Sequence, residues 1–269
     1  MILRFKAIFI FLIYLPNFIL AEGIQGLIEE NFGERFYGIY VDEYKLGFIA
    51  FKLSQNKNDV IADFSMTVRI PASLARKEVE GAKYALSQTV TRHIFDKKTG
   101  LLNQMSETHG EKFYRDYDDL LENRQFKENV RTLNAKYKGD YTYEVFNTDD
   151  VENQIKLYKL PTLNMADHFA EINFVHENLK VGDYRKIDVS DLDFKNGIFS
   201  SVVLTLKQKI KLDTIDDEYQ FVISLEQDNG DRSTLTTDRF GNLIAGEWFG
   251  MQVLREPKEK ALTLDAANI

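Results

Sequence analysis

The chain of 269 residues contains no cysteine. That absence removes disulfides, thiolate metal ligands, a thiol nucleophile and a lipid-modified cysteine at a mature N-terminus. Positive charge is in deficit: 34 Lys and Arg stand against 42 Asp and Glu, a net charge of −8. An acidic surface repels phosphate backbones, and no basic stripe with interleaved aromatics occurs, so nucleic acid is not an expected partner. Histidines number four. His168 and His176 are not the i,i+4 pair that sets two imidazoles on one metal. His93 and His109 flank a turn at Asp96–Gly100, and hairpin pairing across it sets His93 near Asn103, with His109 several residues away. No GxSxG elbow replaces the missing thiol.

The carboxylate crowds are no more selective. Asp188, Asp191, Asp193 and Asn196 fail as a calcium loop, because Lys195 stands where an oxygen ligand belongs. Asp116, Asp118 and Asp119, like Asp213, Asp216, Asp217 and Glu218, read as solvated turns. Nothing selects a pair for glycoside chemistry. The expectation is a chain without catalytic, cofactor-binding or metal-binding residues and without enzymatic activity as it stands.

What is present begins with an apolar leader. Arg4 and Lys6 supply a positive end, Ala7–Leu15 an apolar run, and Ile19-Leu20-Ala21 a short exit with small Ala21 at the cut. Residues 1–21 therefore read as a cleaved signal peptide, the alternative being an uncleaved anchor. Pro16 and Asn17 break the run short of the ~20 residues a spanning helix needs, and no second such run follows. Removing Arg4 and Lys6 takes the net charge from −8 to −10. The expected location is the periplasm, as a protein that is neither lipid-anchored nor membrane-spanning. The roughly 248 residues that remain can bury about 70 % of their unfolded surface without disulfides.

From Phe36 onward the pattern is strand. Val60, Ala62, Phe64, Met66, Val68 and Ile70 alternate with polar or small residues until Pro71. Further strands are expected at Ala85–Phe95, Leu101–Thr108, Tyr184–Val189, Phe199–Leu212, Glu218–Glu226, Arg232–Thr237 and Leu243–Leu254, with a hairpin within Thr132–Phe146. Glu111–Asn129, crowded with charge and aromatics, reads as helix or irregular edge. One helix is expected at Leu163–Glu177, capped by Thr162, with Leu163, Ala166, Phe169, Ala170 and Phe174 on one face. The fold class is mainly β: a strongly curved antiparallel sheet, open or half-barrel, in one piece or in two halves hinged near Pro161. Residues 22–255 form the β-rich domain and 256–269 a C-terminal stub.

Aromatics are plentiful, with 20 Phe and 13 Tyr beside one Trp. Tyr37, Tyr40 and Tyr44 crowd the first hairpin; Trp248 and Phe249 follow Glu247 in a closing strand between Gly246 and Gly250. Strand aromatics commonly form core. The alternative is that Tyr40, Trp248 and Phe249 wall an apolar ligand cavity.

The stretch FYGIYVDEYKLGFIAF (Phe36–Phe51), with Gly47 where its second strand resumes, resembles the opening of the β-rich envelope region that precedes the catalytic core of bacterial transglutaminase-like proteins. TLTTDRFGNLIAGEWFGMQVLREPKEKAL (Thr234–Leu262) resembles its close. The resemblance implies a non-catalytic periplasmic domain that positions an envelope protein or peptide partner or substrate. The family's Cys-His-Asp residues lie in a core that matches no position here. An alternative is a piece of a transglutaminase-like peptidase whose core lies beyond residue 269. A third is a carrier of apolar ligands in a curved-sheet cavity, similar in outline to periplasmic lipoprotein carriers.

Overall fold

A computed structural model describes residues 26, 28–77, 79–148, 155–177, 179–194, 197–212, 218–248 and 250–263. The expected signal peptide of residues 1–21 and the end of the expected stub, 264–269, lie outside them. The chain is mainly β, 62 % strand and 12 % helix, in one 14-stranded antiparallel sheet that does not close into a barrel.

Eight strands run as a meander: β1 (Gly33–Val41), β2 (Tyr44–Gln55), β3 (Asp59–Pro71), β4 (Tyr84–Asp96), β5 (Leu102–Tyr114), β6 (Lys127–Gly139), β7 (Thr142–Asn147) and β8 (Ile155–Lys159). Six more form a second meander: β9 (Tyr184–Asp193), β10 (Ile198–Lys211), β11 (Tyr219–Gln227), β12 (Arg232–Thr237), β13 (Leu243–Trp248) and β14 (Met251–Glu256). β14 pairs with β1 from Phe36↔Glu256 to Tyr40↔Gln252, which makes the two meanders one sheet with β8 and β9 at its edges. Of the two arrangements expected, a sheet in one piece is the one found. Pro161 sits in the crossing from one edge strand to the other, and the backbone ladder joins the halves at the opposite side.

The single helix expected at 163–177 is two: α2 (Met165–His168) and α3 (Ala170–His176), after a short α1 at Tyr117–Leu121. Phe169, at φ −118 and ψ 46, interrupts the helical run. The cap is Asn164 rather than Thr162: its side chain accepts from the Asp167 N–H at 2.7 Å. This segment is pinned to the β4–β5 turn, where the Leu102 N–H donates to the Leu163 carbonyl at 2.8 Å. It fills the hollow of the sheet. Leu163, Ala170 and Phe174 are fully buried there.

The closing strand expected at Leu243–Leu254 is also two strands. They are hairpinned through Gly250, whose φ of +76 is open chiefly to glycine. Nor is all of the expected stub loose. Lys258–Leu262 forms α4, and Ala261 is fully buried on the outer face of β1, β2 and β14. Among the described residues, no helix is long and apolar enough to cross a membrane.

Candidate functional site

Cross-strand register assembles on the inner face what linear order scatters. One row runs Ile49, Met66, Thr89, His109, Arg131, and the next Phe51, Phe64, Thr91, Glu107, Leu133. The rows are apolar on β2 and β3 and turn polar on β4 and β5; on β6 the first ends in Arg131 and the second in apolar Leu133. His109 thus faces Thr89, not empty space beyond the turn, and His93 faces Met105 rather than Asn103.

In this polar block the Thr89 hydroxyl and His109 Nδ1 are 2.8 Å apart, and His109 Nε2 lies 3.5 Å from Glu111 Oε1. Glu111 also accepts the Arg76 backbone N–H at 2.7 Å. Burial works to raise the Glu111 carboxyl, but the bonds from His109 and Arg76 outweigh it and hold it below its ordinary value. Arg131 pairs with Glu107 alongside. From the other half of the sheet, Asp191 approaches Glu107; burial first, then the charges of Glu107 and Asp193, push its carboxyl up to about 7.

Thr89, His109 and Glu111 stand in the order hydroxyl, imidazole, carboxylate that nucleophilic catalysis uses. Thr89, however, is 0 % exposed. Its hydroxyl has no surface on which a substrate could reach it, so the arrangement is an internal polar cluster of the sheet.

A second imidazole cluster sits under the helical plug. His93 of β4 and His168 of α2 meet edge-on with centroids 4.5 Å apart, against Phe95 and Phe169. Burial pushes His93 down to about 4 and His168 well below its ordinary value, His93 adding to the latter. Neither Nε2 has a hydrogen-bond partner among the described residues. A neutral, edge-on pair is packing material. Sequence spacing could not reveal it, because a β-strand and a helix 75 residues apart supply the two rings.

The residues expected to wall an apolar cavity are not gathered into one. Tyr40 lies on the outer face, and its hydroxyl donates to Glu256 Oε1 at 2.6 Å. Lys45 donates to Glu256 Oε2 at 2.7 Å, the two side chains each 2 % exposed beneath α4. Trp248 holds its place in the ladder opposite Ser233 and Met251; its side chain and the whole of Phe249 lie outside the described residues. The hollow of the sheet contains a cavity of about 30 Å³ between Tyr37, Phe51, Phe169, Glu171 and Leu243. That is room for a water or two, against the ~300 Å³ or more of a ligand pocket. Among the described residues, no group of three or more His, Asp or Glu is placed to hold a metal ion.

One surface feature of the described residues is the edge of the sheet. β8 pairs with β7 from Thr142↔Lys159 to Phe146↔Ile155 and with no other strand among the described residues. Ile155 and Leu157 are 62 % and 69 % exposed on it. No expectation from sequence covered this strand: five residues flanked by an acidic segment carry too short a pattern. β9, the other edge, is built differently. Its outward Lys186 and Asp188 are charged, and its ladder to β10 is broken by an irregularity between Ser200 and Val202. Charge and bulges are how proteins blunt an edge; β8 shares the charge, with Lys156 and Lys159 among its five residues, but its ladder to β7 runs without a bulge.

The chain matches no family model, no curated protein and no solved structure.

Proposed function

We propose that the chain is a non-catalytic interaction domain, exported to the periplasm, that holds an envelope protein or peptide through the β8 edge. The observation that carries this reading is the exposure of Ile155 and Leu157 on a strand paired on one side only. Such an edge presents unpaired backbone donors and acceptors to an incoming strand, and the exposed side chains add apolar contact. The likeness of Phe36–Phe51 and Thr234–Leu262 to the region before transglutaminase-like cores supports the same class, a domain that positions rather than reacts. The charged leader with Ala21 at its exit supports export.

Fluorescence anisotropy with a labelled alternating Val-Thr peptide tests the reading. The full chain should bind it, and Leu157→Asp should weaken binding at least tenfold while leaving urea stability within about 0.5 kcal/mol, as for other exposed sites. Equal binding by both proteins, or binding by neither, overturns it.

A further inference from the structure

We infer that the β8 edge is completed by β8 of a second copy, antiparallel and in register about Leu157, in a two-fold dimer. The inference rests on the reading of β8 as the interaction edge and names its occupant.

The strand reads Ile155-Lys156-Leu157-Tyr158-Lys159. Antiparallel self-pairing about its centre sets Leu157 opposite Leu157, Ile155 opposite Lys159, and Lys156 opposite Tyr158. It is the register that pairs all five residues. On the outer face, Ile155 and Leu157 of both copies form one apolar stripe, with the Lys159 stems lying over its ends. On the inner face, each Lys156 meets a Tyr158 ring of the other copy, a cation–π arrangement. Tyr158 is already held in place: its ring lies so close to Gly197 that a Cβ there would come within 3.3 Å. Two neighbouring registers are disfavoured for a physical reason. A two-residue slip one way opposes Lys156 to Lys156, and like charges directly opposite destabilise a sheet. A one-residue slip opposes inner-face to outer-face side chains.

A two-fold contact of this kind uses the same edge on both copies and closes. β9 is the poorer edge because its ladder to β10 is irregular, although Tyr184 on it is as exposed as Leu157 on β8. A contact of one five-residue strand is small, below the ~1,200 Å² of stable complexes, so the dimer is weak and concentration-dependent.

The absence of cysteine makes a clean test. At the two-fold, Leu157→Cys places two thiols on directly opposed residues, within disulfide reach. Ile155→Cys places them four residues apart along the strand, about 13 Å. Under mild oxidation of the full chain, Leu157→Cys should form covalent dimer at least tenfold faster than Ile155→Cys. The double variant Ile155→Cys with Lys159→Cys should crosslink again. Sedimentation of the unmodified chain should show monomer passing to dimer in the micromolar to submillimolar range. Leu157→Asp should abolish that step, and Val130→Asp, on an exposed site of β6, should not.

A monomer at every concentration, or equal crosslinking by the two single-cysteine variants, overturns the inference. If that monomer still binds the Val-Thr peptide, the edge serves a different chain and the proposed function stands. If it binds neither, both fall.

Discussion

Single residues in this protein show how much depends on the outer as well as the inner face. Lys45 and Glu256, each 2 % exposed, form an ion pair that Tyr40 and Lys260 complete. Burial alone would raise the Glu256 carboxyl, but hydrogen bonds from Lys260, Lys45 and Tyr40 hold it down at about 2. A depressed carboxylate contributes stability above its ordinary range, and that contribution is lost as pH falls through the folded value. The advantage of the natural chain over Glu256→Gln should therefore shrink as pH drops from 5 towards about 2, measured by urea unfolding. Lys45→Met removes one of three partners of the Glu256 carboxylate and should cost about 1–3 kcal/mol at pH 7, with Lys45→Met/Glu256→Met recovering part of it. Gly47 is constrained from another direction. A Cβ there would collide with the Thr67 carbonyl and lie 2.9 Å from Val68 Cα. Gly47→Ala should cost at least about 2 kcal/mol by denaturant titration, since backbone and not a flexible side-chain tip must yield.

At the level of elements, buried imidazoles and buried carboxyls pull stability in opposite directions with pH, and the helical plug holds one of each in His168 and Asp167. His93 and His168 have folded values below their ordinary one. Their contribution is intact above about 6.5 and lost as pH falls towards about 4. Asp191, raised to about 7 by burial, does the reverse: its contribution is present below its unfolded value and lost as pH rises through 7. Asp167 of α2, raised to about 7 mainly by burial, behaves likewise. Asp191→Asn keeps an oxygen for the Leu192 N–H it now accepts at 2.8 Å. It should stabilise the protein most above pH 7, with the gain fading towards pH 4. His168→Leu should flatten the loss between pH 6.5 and 4. Thermal melts across that range read both. Phe174→Ala, at a fully buried position of α3, should cost about 4 kcal/mol through the cavity it leaves.

The whole molecule is held together at the β1–β14 ladder, where the first and last strands meet. One continuous sheet around one core predicts a single cooperative transition. Trp248 fluorescence, reporting on β13, and hydrogen exchange of β4–β5 amides should lose structure at the same urea concentration. Separate midpoints would mean that the two meanders unfold independently. Between them, the cavity beside Tyr37, Phe51 and Phe169 measures about 30 Å³.

Much of this was written in local chemistry. The period-two alternation of Val60 to Ile70 and the turn residues after Val41, Phe95 and Tyr137 set the strands of the first meander, because side-chain alternation and backbone φ are properties of neighbours. The absence of cysteine likewise settled which nucleophile and which ligands are excluded, whatever the fold. β5 was half-legible for a reason now visible: its inner positions Glu107, His109 and Glu111 are polar, so no hydrophobic period marks them. What only the tertiary structure decided is everything that register and closure bring together: the facing of Thr89 with His109, the meeting of His93 with His168, the removal of Tyr40 to the outer face, and the exposure of β8. A strand's sequence states which side chains share a face. Which strand lies beside it, and whether any does, depends on where a chain of more than two hundred residues returns.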